Sequence, residues 1–162
     1  PISGLDDALA ILIALKNLSI HGIICSFGNC AAEQVVKNVQ KILSAHYHQY
    51  KAQLPPIYFG SMFPVSKIVR KTADISAKNE WHGYDGLGDV DEQLFDFEVQ
   101  KLNVLTFQQF IEDFKQNPSE IISLGSLTSC YHIQKLCDFR IKVFAMCGCF
   151  PELFKSKAQC PV

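Results

Sequence analysis

Apolar and polar positions alternate along the chain in two rhythms. From Leu5 to Leu15 the residues are good helix formers with no Pro or Gly, which predicts a helix. "SIHGIICSF" follows as a short, nearly continuous apolar run and predicts a buried strand. In "CAAEQVVKNVQKILSAH", Val35, Val36, Val39, Ile42 and Leu43 recur at the three-and-four spacing of one helix face. "LPPIYFG" predicts a short strand behind a Pro pair. "LTFQQFIEDFKQNP" predicts a helix capped by Thr106 and stopped before Pro118. "EIISL" reads as a strand, "SLTSCYHIQKLCD" as a helix and "IKVFAMCG" as a last strand.

The order is α-β-α-β, a long segment, then α-β-α-β. Helices that alternate with strands imply right-handed crossovers and a parallel sheet. Buried parallel strands are apolar on both faces, as these runs are. The expected class is therefore α/β: an open, mostly parallel sheet with helices on both faces. The segment from Ser61 to Val104 is about 40 residues long, well beyond the ~15 at which loops become uncommon, so it should be functional or hold small elements. A helix that opens an α/β unit normally follows a strand. Here the chain begins at Pro1, without Met, where that strand should end, and the expectation is a truncated domain. Residues 1–150 read as one unit, and residues 151–162, "PELFKSKAQCPV", as an unmatched tail.

Composition narrows the function. The chain has 162 residues, 48% of them hydrophobic, enough for one domain with a core. Its 15 basic and 16 acidic residues nearly balance and form no basic block, which argues against nucleic acid and an anionic membrane surface. The longest apolar stretch, Ala8 to Leu15, falls far short of the ~20 residues that span a bilayer. The 7 cysteines are odd in number and irregular in spacing, which suggests reduced thiols in a cytoplasmic compartment. Cys130 with His132, and Cys147 with Cys149, are too closely spaced for common zinc motifs and lie in apolar surroundings.

In open parallel sheets, ligands gather at the carboxyl ends of the strands. "SGLDD", "SFGN" and "SLGSLTS" would lie there, each leading into a helix. Asp6 and Asp7 occupy the first turn of the first helix. Acids there interact favourably with the helix dipole by ~0.3–1 kcal/mol. One Asp serves that purpose, whereas two repel each other, and a hard cation bound to both would remove the repulsion. Spacing alone leaves capping and cation binding both open.

The order of motifs resembles the nucleoside hydrolase family, the inosine-uridine preferring enzymes. "SGLDDALA" is similar to the end of its Asp-x-Asp-Pro-Gly-x-Asp-Asp-Ala opening. Gly28-Asn29 and Asn38 match its second strand end and following helix. "PPIYFGSMFPV", "WHGYDGLGDV", "SEIISLGSLTS" and "IKVFAMCGCF" resemble later family segments in family order, over Gly4 to about Phe150. "GYDGLG" reverses the glycine order of a dinucleotide fingerprint and opens no helix, so that reading is discarded.

The resemblance implies a Rossmann-like fold that binds Ca²⁺ and hydrolyses the N-glycosidic bond of ribonucleosides to ribose and free base. By that resemblance Asp7 corresponds to a bidentate calcium ligand and Leu124 to a backbone carbonyl ligand. Asp6 corresponds to the acid that grips the ribose hydroxyls, Asn29 and Met146 to ribose-pocket positions, and His82 to the loop that covers the pocket. Taken as residues, Asn29 also reads as a turn residue, His82 as a solvated loop side chain and Met146 as core packing. The sequence also departs from the family. Ile2 falls where the family has its catalytic, calcium-binding Asp, so no catalytic residue is assigned, and Cys147 and Cys149 replace glycines. The expectation is a nucleoside hydrolase-like protein with weak or absent calcium binding and impaired chemistry, homo-oligomeric or prone to aggregate. The alternative is a non-catalytic remnant of the fold that binds a nucleoside or a protein partner.

Overall fold

The computed structural model describes residues 4–28, 30–62 and 82–146. In chain order the elements are α1 (Leu5–Asn17), β1 (Ile23–Cys25), α2 (Ala32–Tyr50), β2 (Ile57–Phe59), a 3-10 turn (Glu92–Leu94), β3 (Val104–Leu105), α3 (Phe107–Gln116), β4 (Ile121–Ser123), α4 (Thr128–Leu136) and β5 (Val143–Ala145). Among the described residues every strand pairing is parallel: β1 with β2, β2 with β3, and β4 with β5. The strands form a three-stranded sheet ordered β1-β2-β3 and a two-stranded sheet of β4 and β5. The expected α/β class with parallel strands is what forms, although hydrogen bonding divides it into two sheets.

Side-chain alternation along the strands builds two cores. Ile23 and Cys25 of β1, Ile57 of β2 and Val104 of β3 face one side, against Ile11 of α1 and Val35, Val39, Ile42 and Leu43 of α2. Ile24, Tyr58 and Leu105 face the other, against Phe110, Ile111 and Phe114 of α3 and Ile133 of α4. Helices therefore cover both faces, and this is why the strands carry no polar alternation.

Local chemistry sets the boundaries. Thr106 caps α3 through a reciprocal box: its hydroxyl accepts from the Gln109 amide, and the Gln109 side chain accepts from the Thr106 amide. α2 runs past the periodic stretch to Tyr50 and ends where Lys51 turns left-handed, at φ +51°, donating its amide to Tyr47. Pattern reading misses β3, because two residues give no period to detect, and misses the turn at Glu92–Leu94 for the same reason. Both lie in the long segment where small elements were expected. Among the described residues, no helix is long and apolar enough to cross a membrane. The tail at 151–162 lies outside the described residues.

Leu43 is fully buried in the first core. Leu43→Ala should cost about 2–5 kcal/mol in urea melts, set by lost burial and the cavity left behind. Thr106→Ala should cost about 1 kcal/mol through the lost cap. Leu94, which is 79% exposed, should tolerate Ala with almost no change.

Candidate functional site at the carboxyl ends of the strands

The loops after β1, β2 and β4 meet where parallel strands end. Four serines join them. Ser26 after β1 and Ser129 in α4 share a hydrogen bond at 2.5 Å. The Ser129 hydroxyl donates to Ser61 Oγ at 3.2 Å and accepts from the Ser61 amide at 3.0 Å. Ser126 after β4 donates to the Phe27 carbonyl at 3.4 Å. Phe27 in turn donates its amide to the Ser61 carbonyl at 2.9 Å. Gly60 permits this convergence: a Cβ there would collide with Ser26 Oγ and stand 2.8 Å from Ile24 Cγ2 and Ser129 Oγ. These hydroxyls carry no sequence signal beyond small residues beside glycine, and sequence reasoning does not single them out.

The first helix brings the acids in. Gly4 precedes α1 with extended backbone and makes no side-chain cap, so Asp6 and Asp7 lie in the first turn. Asp6 is exposed and Asp7 is 7% exposed. Gly4 is also in contact range of the covering loop: a Cβ on it would strike the Asp6 carboxylate and stand 3.1 Å from His82 Cε1. Asp6 and His82 are thus brought together over Gly4.

The loop 82–89 is held rigidly. Asp85 Oδ1 accepts the amides of Leu87 and Asp89 at 2.7 and 3.0 Å. Asp89 Oδ1 accepts those of Tyr84 and Asp85 at 2.7 and 2.9 Å. Gly83, Gly86 and Gly88 take φ of +74°, +82° and +78°, which explains the glycine spacing of "HGYDGLGD" by backbone need. Two residues of α2 anchor the loop. Asn38, fully buried, donates to the Asp85 carbonyl at 2.8 Å. Lys41 pairs with Asp85 at 3.5 Å and Glu92 at 3.0 Å. Burial alone would push the Asp85 carboxyl up. The Leu87 and Asp89 amides and the Lys41 ammonium outweigh it and hold the group below the ordinary carboxylate range.

The remaining predicted positions are dispersed. Leu124 packs its half-buried side chain on the first core. Met146 continues the β4–β5 ladder, its amide donating to the Ser123 carbonyl at 2.9 Å, while the residue is 60% exposed. That exposure does not fit the core-packing reading. Ile2, Asn29, Cys147 and Cys149 lie outside the described residues. Burial pushes the Cys25 thiol up to about 12 and that of Cys30 to about 11, which keeps both protonated and poor as nucleophiles.

A model of the inosine-uridine preferring nucleoside hydrolase family matches residues 3–148. The chain belongs to the inosine-uridine preferring nucleoside hydrolase family. Comparison with curated proteins returns no match. Calcium takes ~6–8 oxygens. Among the described residues no three His, Cys, Asp or Glu side chains cluster closely enough to hold a metal ion.

The Asp85 anchor has a testable pH signature. Its contribution should be complete above the ordinary Asp value of about 3.9 and disappear as pH falls through the lowered one. Asp85→Asn should therefore lower Tm at neutral pH, and the difference from the parent should shrink in acid. An equal difference at all pH values would contradict the ion pair.

Proposed function

We propose that this chain is a nucleoside hydrolase-like protein that, by itself, turns over ribonucleosides weakly or not at all. Family membership supports the substrate class. The juxtaposition of Asp6 and His82 over Gly4 supports a contact with a sugar hydroxyl, because a carboxylate accepts and an imidazole can donate. The observation that supports the impairment is the residue at the family's catalytic position. Hydrolysis of an N-glycosidic bond needs a water deprotonated by a carboxylate within hydrogen-bond reach. Ile2 stands where the resemblance places that carboxylate and cannot accept a proton. Calcium binding is proposed to be weak or absent for the same reason.

Release of free base from inosine and uridine tests the proposal. Loss of a general base alone typically costs ~10²–10⁴ in rate, and the full chain should show turnover depressed at least that far below an active relative. Asp7→Ala should leave the residual rate unchanged. Efficient turnover that Asp7→Ala abolishes would overturn the proposal and establish a working hydrolase.

A further inference from the structure

The stretch from Asp85 to Leu102 forms a strap over α2. It meets α2 first at Asn38 and Lys41, runs to His48 and returns to Gln40. Asn38 donates to the Asp85 carbonyl at 2.8 Å, and Lys41 pairs with Asp85 and with Glu92. The His48 ring stacks on Phe97 with centroids 5.6 Å apart. On the return, Ser44 Oγ accepts the Gln100 amide at 2.8 Å, and Gln40 donates to the Leu102 carbonyl at 2.9 Å. Residues three and four apart share a helix face, so positions 41, 44 and 48 can hold one strap. Lys41 joins two separate points of it. Its pair with Asp85 is also largely shielded, the two side chains being 13% and 19% exposed. Salt screens such a pair less than an exposed one.

Asp85 transmits this anchor to His82. Its Oδ1 accepts the Leu87 and Asp89 amides, while Asp89 Oδ1 accepts those of Tyr84 and Asp85. The Gly88 amide donates to the His82 carbonyl at 2.7 Å, which closes the turn 82–89 on itself. Fixed at Asp85, the turn carries the His82 ring to Gly4. A Cβ on Gly4 would stand 3.1 Å from His82 Cε1 and 3.3 Å from its Nδ1, and would strike the Asp6 carboxylate. The charge of Lys41 matters more than its bulk, because the turn's amides occupy Asp85 Oδ1 and Lys41 meets Oδ2. Removing that charge leaves the turn's own hydrogen bonds in place and loosens its tie to α2. We propose that Lys41 is a positioning residue: through Asp85 it sets the His82 imidazole beside Asp6, and that placement sets how tightly a ribonucleoside hydroxyl is held. The link to the ribonucleoside rests on the sugar contact proposed above; the placement of His82 does not.

The test compares the full chain with Lys41→Met, Lys41→Arg and Ser44→Ala by NMR. The readout is the nuclear Overhauser effect between His82 Hε1 and the Gly4 α-hydrogens. It is expected in the parent, retained in Lys41→Arg, which keeps the cation, and lost in Lys41→Met. Asp85→Asn, which removes the other half of the pair, should repeat the Lys41→Met result. Ser44→Ala breaks a strap contact away from the turn, so it should lower Tm and leave the effect unchanged. Inosine titration should show binding weakened roughly two- to tenfold in Lys41→Met, the size of one lost hydrogen bond, and unchanged in Lys41→Arg and Ser44→Ala. Absence of the effect in the parent, its persistence in Lys41→Met or Asp85→Asn, or its equal loss in Ser44→Ala would overturn the positioning role. A parent that does not bind inosine would overturn the sugar contact and with it the link to substrate, while the effect in Lys41→Met still decides the placement. Unchanged inosine affinity in Lys41→Met alongside a lost effect would overturn that link alone.

Discussion

The double-sided burial of β2 is the constraint on which the rest depends. Ile57 is 1% exposed in one core and Tyr58 is 4% exposed in the other, although they are consecutive residues. A one-residue slip of this strand would exchange both sets of contacts at once, so its register with β1 and β3 is strongly specified. Tyr58 adds a polar tether. Its hydroxyl donates to Asp113 while its ring meets Phe110 edge-on with centroids 5.3 Å apart, which ties β2 to α3. Burial, together with that hydrogen bond to Asp113, pushes the phenol up to about 12, so the donor is retained throughout the physiological range.

From β2 the structure propagates to the site. The strand ends at Gly60, where the lack of a side chain lets Ser26, Ser61 and Ser129 close over the carboxyl ends. Those contacts connect the two sheets at the end where the loops meet, while β1 and β4 remain unpaired with each other along their length. The site thus sits where the described strands come together at their carboxyl ends. The loop carrying His82 is fixed independently, from α2, through Asn38 and Lys41.

Much of this was legible in the sequence because burial on both faces writes itself as continuous apolar runs. "GIICSF", "PPIYFG" and "EIISL" each contain the strand they predict, and "TFQQ" spells the α3 cap. The glycines of "HGYDGLGD" were recognisable as a motif, and their left-handed backbone gives the physical reason. What was not legible depends on contacts between distant positions. Ser26 and Ser129 are separated by 103 residues, and Asn38 and the Asp85 carbonyl by 47, with no local pattern to announce either pair. Likewise the order of the described strands, β1-β2-β3 and β4-β5, cannot be read from strand sequences, since each strand is apolar enough to sit at a sheet's centre.

The proposed weakness of calcium binding rests on Ile2, which stands where the family resemblance places a calcium-binding Asp. Asp7, which the resemblance assigns as a ligand, is buried in the first turn of α1. Calorimetric titration of calcium into the full chain, repeated with Asp7→Ala, tests this most directly. No saturable heat in the micromolar range is expected for either protein. Micromolar binding by the parent that Asp7→Ala removes would contradict it.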